Sequence, residues 1–263
     1  MVLRKTEALA LNLRHLGEVD QLVTLLTPDQ GKLRVLAKGV HRPKSRLRAG
    51  IQTFTHSLIM VHHGRNWNRL AGCQPIHTYR LRESLEKLAY GLYWADLLAC
   101  VVPEGEAHPG AFRLALQTFQ QMERAASETS QLNRISLNFE WQLINLLGFQ
   151  LRIEHCVDCD REIREHDGGA MAIDPLRGGL ICPECRGHEK KVNWQWLSPA
   201  SLAILRQWNR SNRNTVFRIQ LSAGNQREIS SLIESMWAFH LQTNLSSRIF
   251  LQQLAPIDSP QGV

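Results

Sequence analysis

Two cysteine pairs restrict this chain more than any other feature. Cys156 and Cys159 stand in one CxxC, Cys182 and Cys185 in a second, and 22 residues separate the pairs. A CxxC turn presents two thiolates to one point, and two such turns closing over a single ion give the tetrahedral site of a structural zinc. The spacing therefore predicts one structural Zn2+ held by Cys156, Cys159, Cys182 and Cys185, organising a module of about 30 residues that is too small to bury a core of its own. Such a site is closed and leaves no open position for a substrate. The competing reading, unrelated thiol pairs or disulfides, fits poorly with only six cysteines in 263 residues, which points to a reduced compartment.

Other CxxC chemistries fail on neighbouring residues. A c-type haem site needs His after the second Cys, where Asp160 and Arg186 stand. Zinc deaminases place Pro before the pair and HxE upstream, but Ile181 precedes Cys182 and no HxE occurs. A thioredoxin-like site needs a βαβ setting that the helical flanks do not supply. Cys73 and Cys100 read as buried or idle thiols, and His155, His166 and His188 are reserve ligands only. No nucleophile, phosphate loop or open metal site supports an enzyme.

The second constraint is charge. Residues 1–80 hold 13 Lys/Arg against 4 Asp/Glu, whereas residues 81–263 hold 18 against 20. The whole net charge of +7 thus comes from the first third, which is the footprint of a polyanion-binding surface. It is densest in residues 31–50, which carry seven Lys/Arg and no acidic residue. The first half of this stretch alternates as a strand, with Lys32, Arg34 and Lys38 on one face and Leu33, Val35 and Ala37 on the other. From Gly39 it reads as a loop. The expected phosphate contacts are Arg34, Lys38, Arg42, Lys44, Arg46 and Arg48, with Arg65 and Arg69 added from the next hairpin. Trp67 lies between those two arginines and either stacks on a base or packs against the fold. His62 and His63 lack partners at ligand spacing.

Around the basic stretch the first 80 residues read as strands. Leu9, Leu11 and Leu13 alternate with Ala8, Ala10, Asn12 and Arg14, predicting a half-buried strand; residues 20–27 follow, and Thr27-Pro28-Asp29-Gln30-Gly31 carries turn chemistry. Residues 53–62 and 67–76 complete five strands, the pattern of a small OB-type barrel. From Tyr79 the period changes to that of helices. Leu81, Leu85, Leu88, Leu92 and Ala95 form one stripe, continuing through Leu98 and Val102. Ala111, Leu114, Ala115, Phe119 and Met122 form a second. Residues 130–147, closed by Gly148, give a third helix; Ser198-Pro199 opens a fourth, and residues 226–241 give a fifth. No apolar run reaches the roughly 18 residues of a membrane span, and residues 1–7 hold no signal-peptide core, so the expected location is cytoplasmic.

Several short pieces recur in a specific order: Gly17-Glu18-Val19-Asp20, then Leu25-Leu26-Thr27 with Gly31-Lys32, then Ala37-Lys38-Gly39 with Lys44-Ser45-Arg46. Later come Leu147-Gly148-Phe149 before Cys156, Gly178-Gly179-Leu180 before Cys182, and Ser247-Arg248-Ile249-Phe250-Leu251. In this order they resemble the bacterial RecO family of recombination mediators, of the RecF pathway of DNA repair. The resemblance implies an α+β chain: an N-terminal OB-type five-stranded β-barrel, then a helical domain carrying an inserted four-cysteine zinc module. The corresponding division is 1–79 for the barrel, 80–155 and 189–255 for the helical domain, 156–188 for the zinc module, and 256–263 for a disordered tail.

The resemblance also implies a non-enzymatic protein of the bacterial cytoplasm and nucleoid, with no membrane and no small-molecule substrate among its partners. Its implied work is to bind single- and double-stranded DNA, anneal complementary strands and assist recombinase loading with RecR. A further implied partner is the acidic C-terminal tail of single-strand-binding protein, for which the later helices offer residues such as Arg206, Trp208 and Arg210. Whether the basic loop joins Lys190, Lys191, Arg206, Arg210 and Arg213 into one track is a question for the folded surface; one track would mean that the two domains bind together. The alternatives are an RNA- or ribosome-associated OB protein with a structural zinc ribbon, and a zinc enzyme.

Overall fold

A computed structural model describes residues 3–64, 67–164, 169–187, 194–210, 219–241 and 245–254. The chain forms two compact units, Met1–Leu132 with Asn244–Val263, and Asn133–Thr243.

The first unit is built on five strands: β1 (Leu3–Leu16), β2 (Asp20–Thr27), β3 (Gly31–Ala37), β4 (Thr55–His62) and β5 (Asn68–Thr78). They close into a barrel in the order β1-β2-β3-β5-β4. Every pairing is antiparallel except β3 with β5, which meet in parallel through Val35 with Asn68 and Leu36 with Arg69. This is the expected OB-type order.

The interior of the barrel is filled by Ala8 and Ala10 of β1, Val23 and Leu25 of β2, Leu33 and Val35 of β3, Ile59 and Val61 of β4, and Leu70 of β5. The expected half-buried strand is in fact buried on both faces at Ala8–Leu11. Leu9 and Leu11 are fully buried on the outer face, where α1 (Leu85–Val101) packs over β1 and β2. Alternation alone predicts a strand with one dry face. The covering helix dries both, and the small alanines take the narrow interior. A shift of register between Ala10 and Asn12 then turns Leu13 toward the inner cluster.

Gly31 begins β3 with φ +57, and an added Cβ would collide with the Glu106 carbonyl oxygen and approach that of Pro103 at 2.7 Å. Glycine is required there because the connection between α1 and α2 (Pro109–Arg124) runs against this end of the strand. The expected α1 stripe is buried at Leu81, Ala95, Leu98 and Val102 but not along the first half of the helix. Leu85 is exposed and Leu88 and Leu92 are only half-buried, while Tyr90, Tyr93, Trp94, Leu97 and Leu98 are buried. A helix covered from several sides follows its aromatic residues rather than a single leucine seam. Trp94 and Tyr79 each set their rings against Phe119 of α2, at centroid distances of 5.6 and 5.7 Å. The second stripe, Ala111 to Met122, is buried as expected.

The second unit holds most of α3 (Thr129–Leu146), with α5 (Pro199–Arg210) and α6 (Ala223–His240). Ser198 caps α5, its hydroxyl accepting from the Ser201 N–H at 3.3 Å, and Gly148 closes α3 with φ +86. Both ends behave as their sequence predicts. Between α3 and α5 lie β6 (Met171–Asp174), β7 (Gly179–Ile181), the single turn α4 (Pro183–Arg186) and β8 (Gln195–Leu197), the strands ordered β7-β6-β8. The last helix among the described residues, α7 (Ser246–Leu254), belongs to the first unit and packs on α1.

Candidate nucleic-acid interface and metal centre

The basic stretch leaves β3 at Ala37 and crosses turns and bends before a 3-10 turn at Arg48–Ile51. It is anchored at both ends. The Gly39 N–H donates to Asp20 Oδ1 at 2.7 Å and the His41 N–H to the Val19 carbonyl at 3.1 Å. Val40 and Ile51 are buried in the barrel cluster and Leu47 packs against it. The apolar residues of the loop therefore point into the barrel, leaving Lys38, Arg42, Lys44, Arg46 and Arg48 exposed. Among the described residues none of these five makes an ion pair. A dense set of unneutralised cations on a seated loop is suited to a phosphate backbone.

The strand part of the stretch is used differently. Lys32 donates its ammonium to the Ala99 carbonyl at 2.8 Å, which satisfies the C-terminal end of α1 and removes it from any outer basic face. Arg34 is exposed but bound at two points to Glu104, which lies in the α1–α2 connection. Lys38 stands on the turn beyond β3, so the three cations do not form the single strand face that alternation predicts. Glu104 lies 70 residues away in sequence, where the local charge pattern gives no sign of it. The parallel contact of β3 with β5 brings exposed Arg69 beside this strand, and Asn68 donates to the Arg34 carbonyl at 3.4 Å. Trp67 precedes β5 with about half its surface exposed. Arg65 lies outside the described residues. His63 is engaged on both ring nitrogens, with Asn68 at 2.9 Å and Gln30 at 3.5 Å.

In the second unit the four cysteines converge. Their Sγ atoms all lie within 4.8 Å of one another, with Cys159 and Cys182 at 3.6 Å. A tetrahedral zinc with bonds of about 2.3 Å needs sulfurs roughly 3.8 Å apart, so this set is close to what the ion requires. The first knuckle turns back at Asp160, whose φ is +61 and whose N–H donates to the Cys156 carbonyl at 3.1 Å. Backbone N–H groups also point at sulfur: Cys182 toward Cys156 Sγ at 3.3 Å, and Cys185 toward Cys182 Sγ at 3.5 Å. Burial opposes ionisation of Cys156, but the backbone N–H groups of Cys159, Cys182 and Asp158, with the Cys159 side chain, outweigh it and bring the thiol down to about 7. Hydrogen bonds with Cys182 and Cys159 push Cys185 the other way. One thiolate is thus favoured by the backbone, and further ones need a cation among them. The residues fit a four-thiolate metal site. His155 is exposed, its backbone bridges to Glu162, and its ring nitrogens are not part of the sulfur cluster; His166 and His188 lie outside the described residues.

Arg206 fastens the first knuckle to α5. It is buried, donates to the Ile153 carbonyl at 2.7 and 2.9 Å and to that of Ile163 at 2.6 Å, and pairs with Glu154 at 3.1 Å. Of the residues offered as examples for a tail peptide, Arg206 and Trp208 are therefore buried in the fold and do not present a surface. Trp208 is fully buried, and Arg206 serves the segment packed against its helix; Arg210 stays exposed and pairs with Glu154 at the surface at 2.9 Å. Lys190, Lys191 and Arg213 lie outside the described residues.

Comparison with known proteins shows the family of the chain. Residues 1–79 match the family model "Recombination protein O N terminal", and residues 82–249 match "Recombination protein O C terminal". The chain belongs to the RecO family. Its relatives include the DNA repair protein RecO of Moorella thermoacetica, 31% identical over 97% of this chain and 94% of the relative. Another is the DNA repair protein RecO of Pelotomaculum thermopropionicum, 29% identical over 100% of this chain and 98% of the relative. RecO membership carries a role in DNA repair and recombination. Among the described residues no helix is long and apolar enough to cross a membrane.

Proposed function

We propose that this chain is a non-enzymatic recombination mediator that binds single- and double-stranded DNA through phosphate contacts, anneals complementary strands and assists recombinase loading together with RecR. One observation carries the reading: five exposed cations, Lys38, Arg42, Lys44, Arg46 and Arg48, ride on a loop whose apolar residues seat it in the barrel. Annealing requires no bond chemistry. It requires a surface that neutralises two repelling backbones while leaving base edges free to pair, and cations on a seated loop supply that. Arg69 extends the surface, Arg65 is proposed with it, and Trp67 offers a ring for a base.

The metal is one structural Zn2+ on Cys156, Cys159, Cys182 and Cys185. It supplies cross-linking of two knuckles and no reaction chemistry, since all four positions are taken by protein sulfur. The setting is the bacterial cytoplasm and nucleoid. Single-strand-binding protein is a further proposed partner through its acidic tail, at a site other than buried Trp208; titration with a tail peptide at low salt tests this, and absence of binding removes it.

The central test is binding of matched DNA and RNA oligonucleotides in competition, followed by annealing of complementary DNA strands. Salt-sensitive DNA binding that tracks annealing is expected. A preference for RNA, or DNA binding without acceleration of annealing, overturns the proposal.

A further inference from the structure

The α1–α2 connection lies along the start of β3 almost as an added strand. The Lys32 N–H donates to the Pro103 carbonyl at 3.0 Å, the Gly105 N–H to that of Gln30 at 3.0 Å, and the His108 N–H to that of Pro28 at 3.1 Å. These backbone bonds fix Glu104 beside Arg34. Its Oε2 accepts from Arg34 Nη2 at 2.7 Å and from Nε at 3.1 Å.

Two N–H groups on one edge of the guanidinium thus converge on one carboxylate oxygen, with a longer contact from Nε to Oε1 at 3.4 Å, and the same edge can take a phosphate oxygen. Glu104 is the anion that holds the place on a strand flanked by unneutralised cations. Both side chains are substantially exposed, at 54% and 38%, so their pairing is individually weak and open to exchange with another anion. The connection does not depend on it, because the backbone bonds hold the loop in place.

We propose that Arg34 is a phosphodiester subsite of the barrel and that Glu104 is its built-in competitor, occupying the guanidinium until a DNA backbone displaces it. The inference rests on the DNA-binding reading above and adds a residue that restrains it. A competitor at one subsite lowers the hold on each strand, which suits a protein that must release the duplex it helps to form. Glu104 also repels phosphates at long range, so the claim to be tested is its specific coupling to Arg34.

The test uses the full chain with Glu104→Gln, Arg34→Ala and the double substitution, binding a labelled oligothymidylate across a salt series. Glu104→Gln is expected to tighten binding about threefold or more at low salt and to steepen the log–log salt slope by up to about 0.7, because in the wild type the carboxylate released from Arg34 takes up a cation and offsets one phosphate contact. Arg34→Ala alone is expected to change affinity less than about twofold, since its charge is already matched. In the Arg34→Ala background the steepening from Glu104→Gln is expected to vanish. If Glu104→Gln leaves the slope unchanged, or acts equally in both backgrounds, the subsite is wrong even though the protein binds DNA. Wild-type protein with no salt-dependent DNA binding overturns this inference and the proposed function together. Thermal melting checks that the loop survives, and Glu104→Thr repeats the experiment if Gln disturbs it.

Discussion

Replacing Arg42, Lys44 and Arg46 together by alanine removes three exposed charges from the loop beyond β3 and touches none of the residues that seat it. Val40, Leu47 and Ile51 remain to fill the end of the barrel, and the Gly39 bond to Asp20 is unaltered. The fold should therefore persist, with the melting temperature within a degree or two of wild type, as is usual for surface changes. If each of the three neutralises one phosphate, the slope of log affinity against log salt on single strands falls by about 2 units. Between 50 and 200 mM salt the affinity gap between wild type and variant should then narrow roughly 15- to 20-fold. Anisotropy titrations with two unrelated oligonucleotides measure this, and the loss should be equal for both because phosphate contacts carry no sequence information. Annealing rates should fall in parallel. An unchanged slope with an intact fold would refute the reasoning and move the DNA surface off this loop.

Metal analysis of purified protein should find zinc near one equivalent, and chelation or Cys159→Ala should render the cysteine module sensitive to protease while the barrel keeps its melting transition; zinc-free protein with four reactive thiols would contradict this. Arg206→Met should destabilise the second unit by about 3 kcal/mol, because it leaves the Ile153 and Ile163 carbonyls and Glu154 without their buried partner, with the first knuckle opening before the helices; protection of residues 153–163 against hydrogen exchange reads this directly. Glu123 is partly desolvated, which opposes ionisation, but the Arg80 N–H, His77 and the Arg80 charge outweigh this and hold its carboxyl below the ordinary range. Its contribution is therefore complete above the unfolded value near pH 4.5 and lost as pH falls through the lowered folded value, so Glu123→Gln should flatten that acid limb of the stability curve.

What the sequence makes legible is set by how local the cause is. The CxxC spacing, the Ser198 cap, the Gly148 stop and the turn at Gly31 each depend on a few neighbouring residues, and each is found where expected. The barrel follows because five strand signals with turn residues between them leave few other closures. Errors arise where a distant element decides the matter. Both faces of β1 are dry because α1 covers Leu9 and Leu11, and Lys32 turns to the end of that helix. Arg34 meets a glutamate from the α1–α2 connection, and Arg206 reads as a surface cation until the knuckle carbonyls are placed against it. In every case the residue type is compatible with both roles, and only the fold assigns one.

The burial of both faces of β1 bears on how the protein can be divided for experiment. The two family matches part between residues 79 and 82, which invites expression of the first 79 residues as a stand-alone DNA-binding fragment. Cutting there strips α1, α2 and α7 from a barrel whose outer wall carries Leu9, Leu11 and Leu26, each fully buried in the intact unit. That truncation would create a sticky hydrocarbon patch, and with it a tendency to self-associate and to retain nucleic acid nonspecifically. A fragment that is to report faithfully on the basic loop needs its helical cover, supplied in the chain from both sides of the second unit.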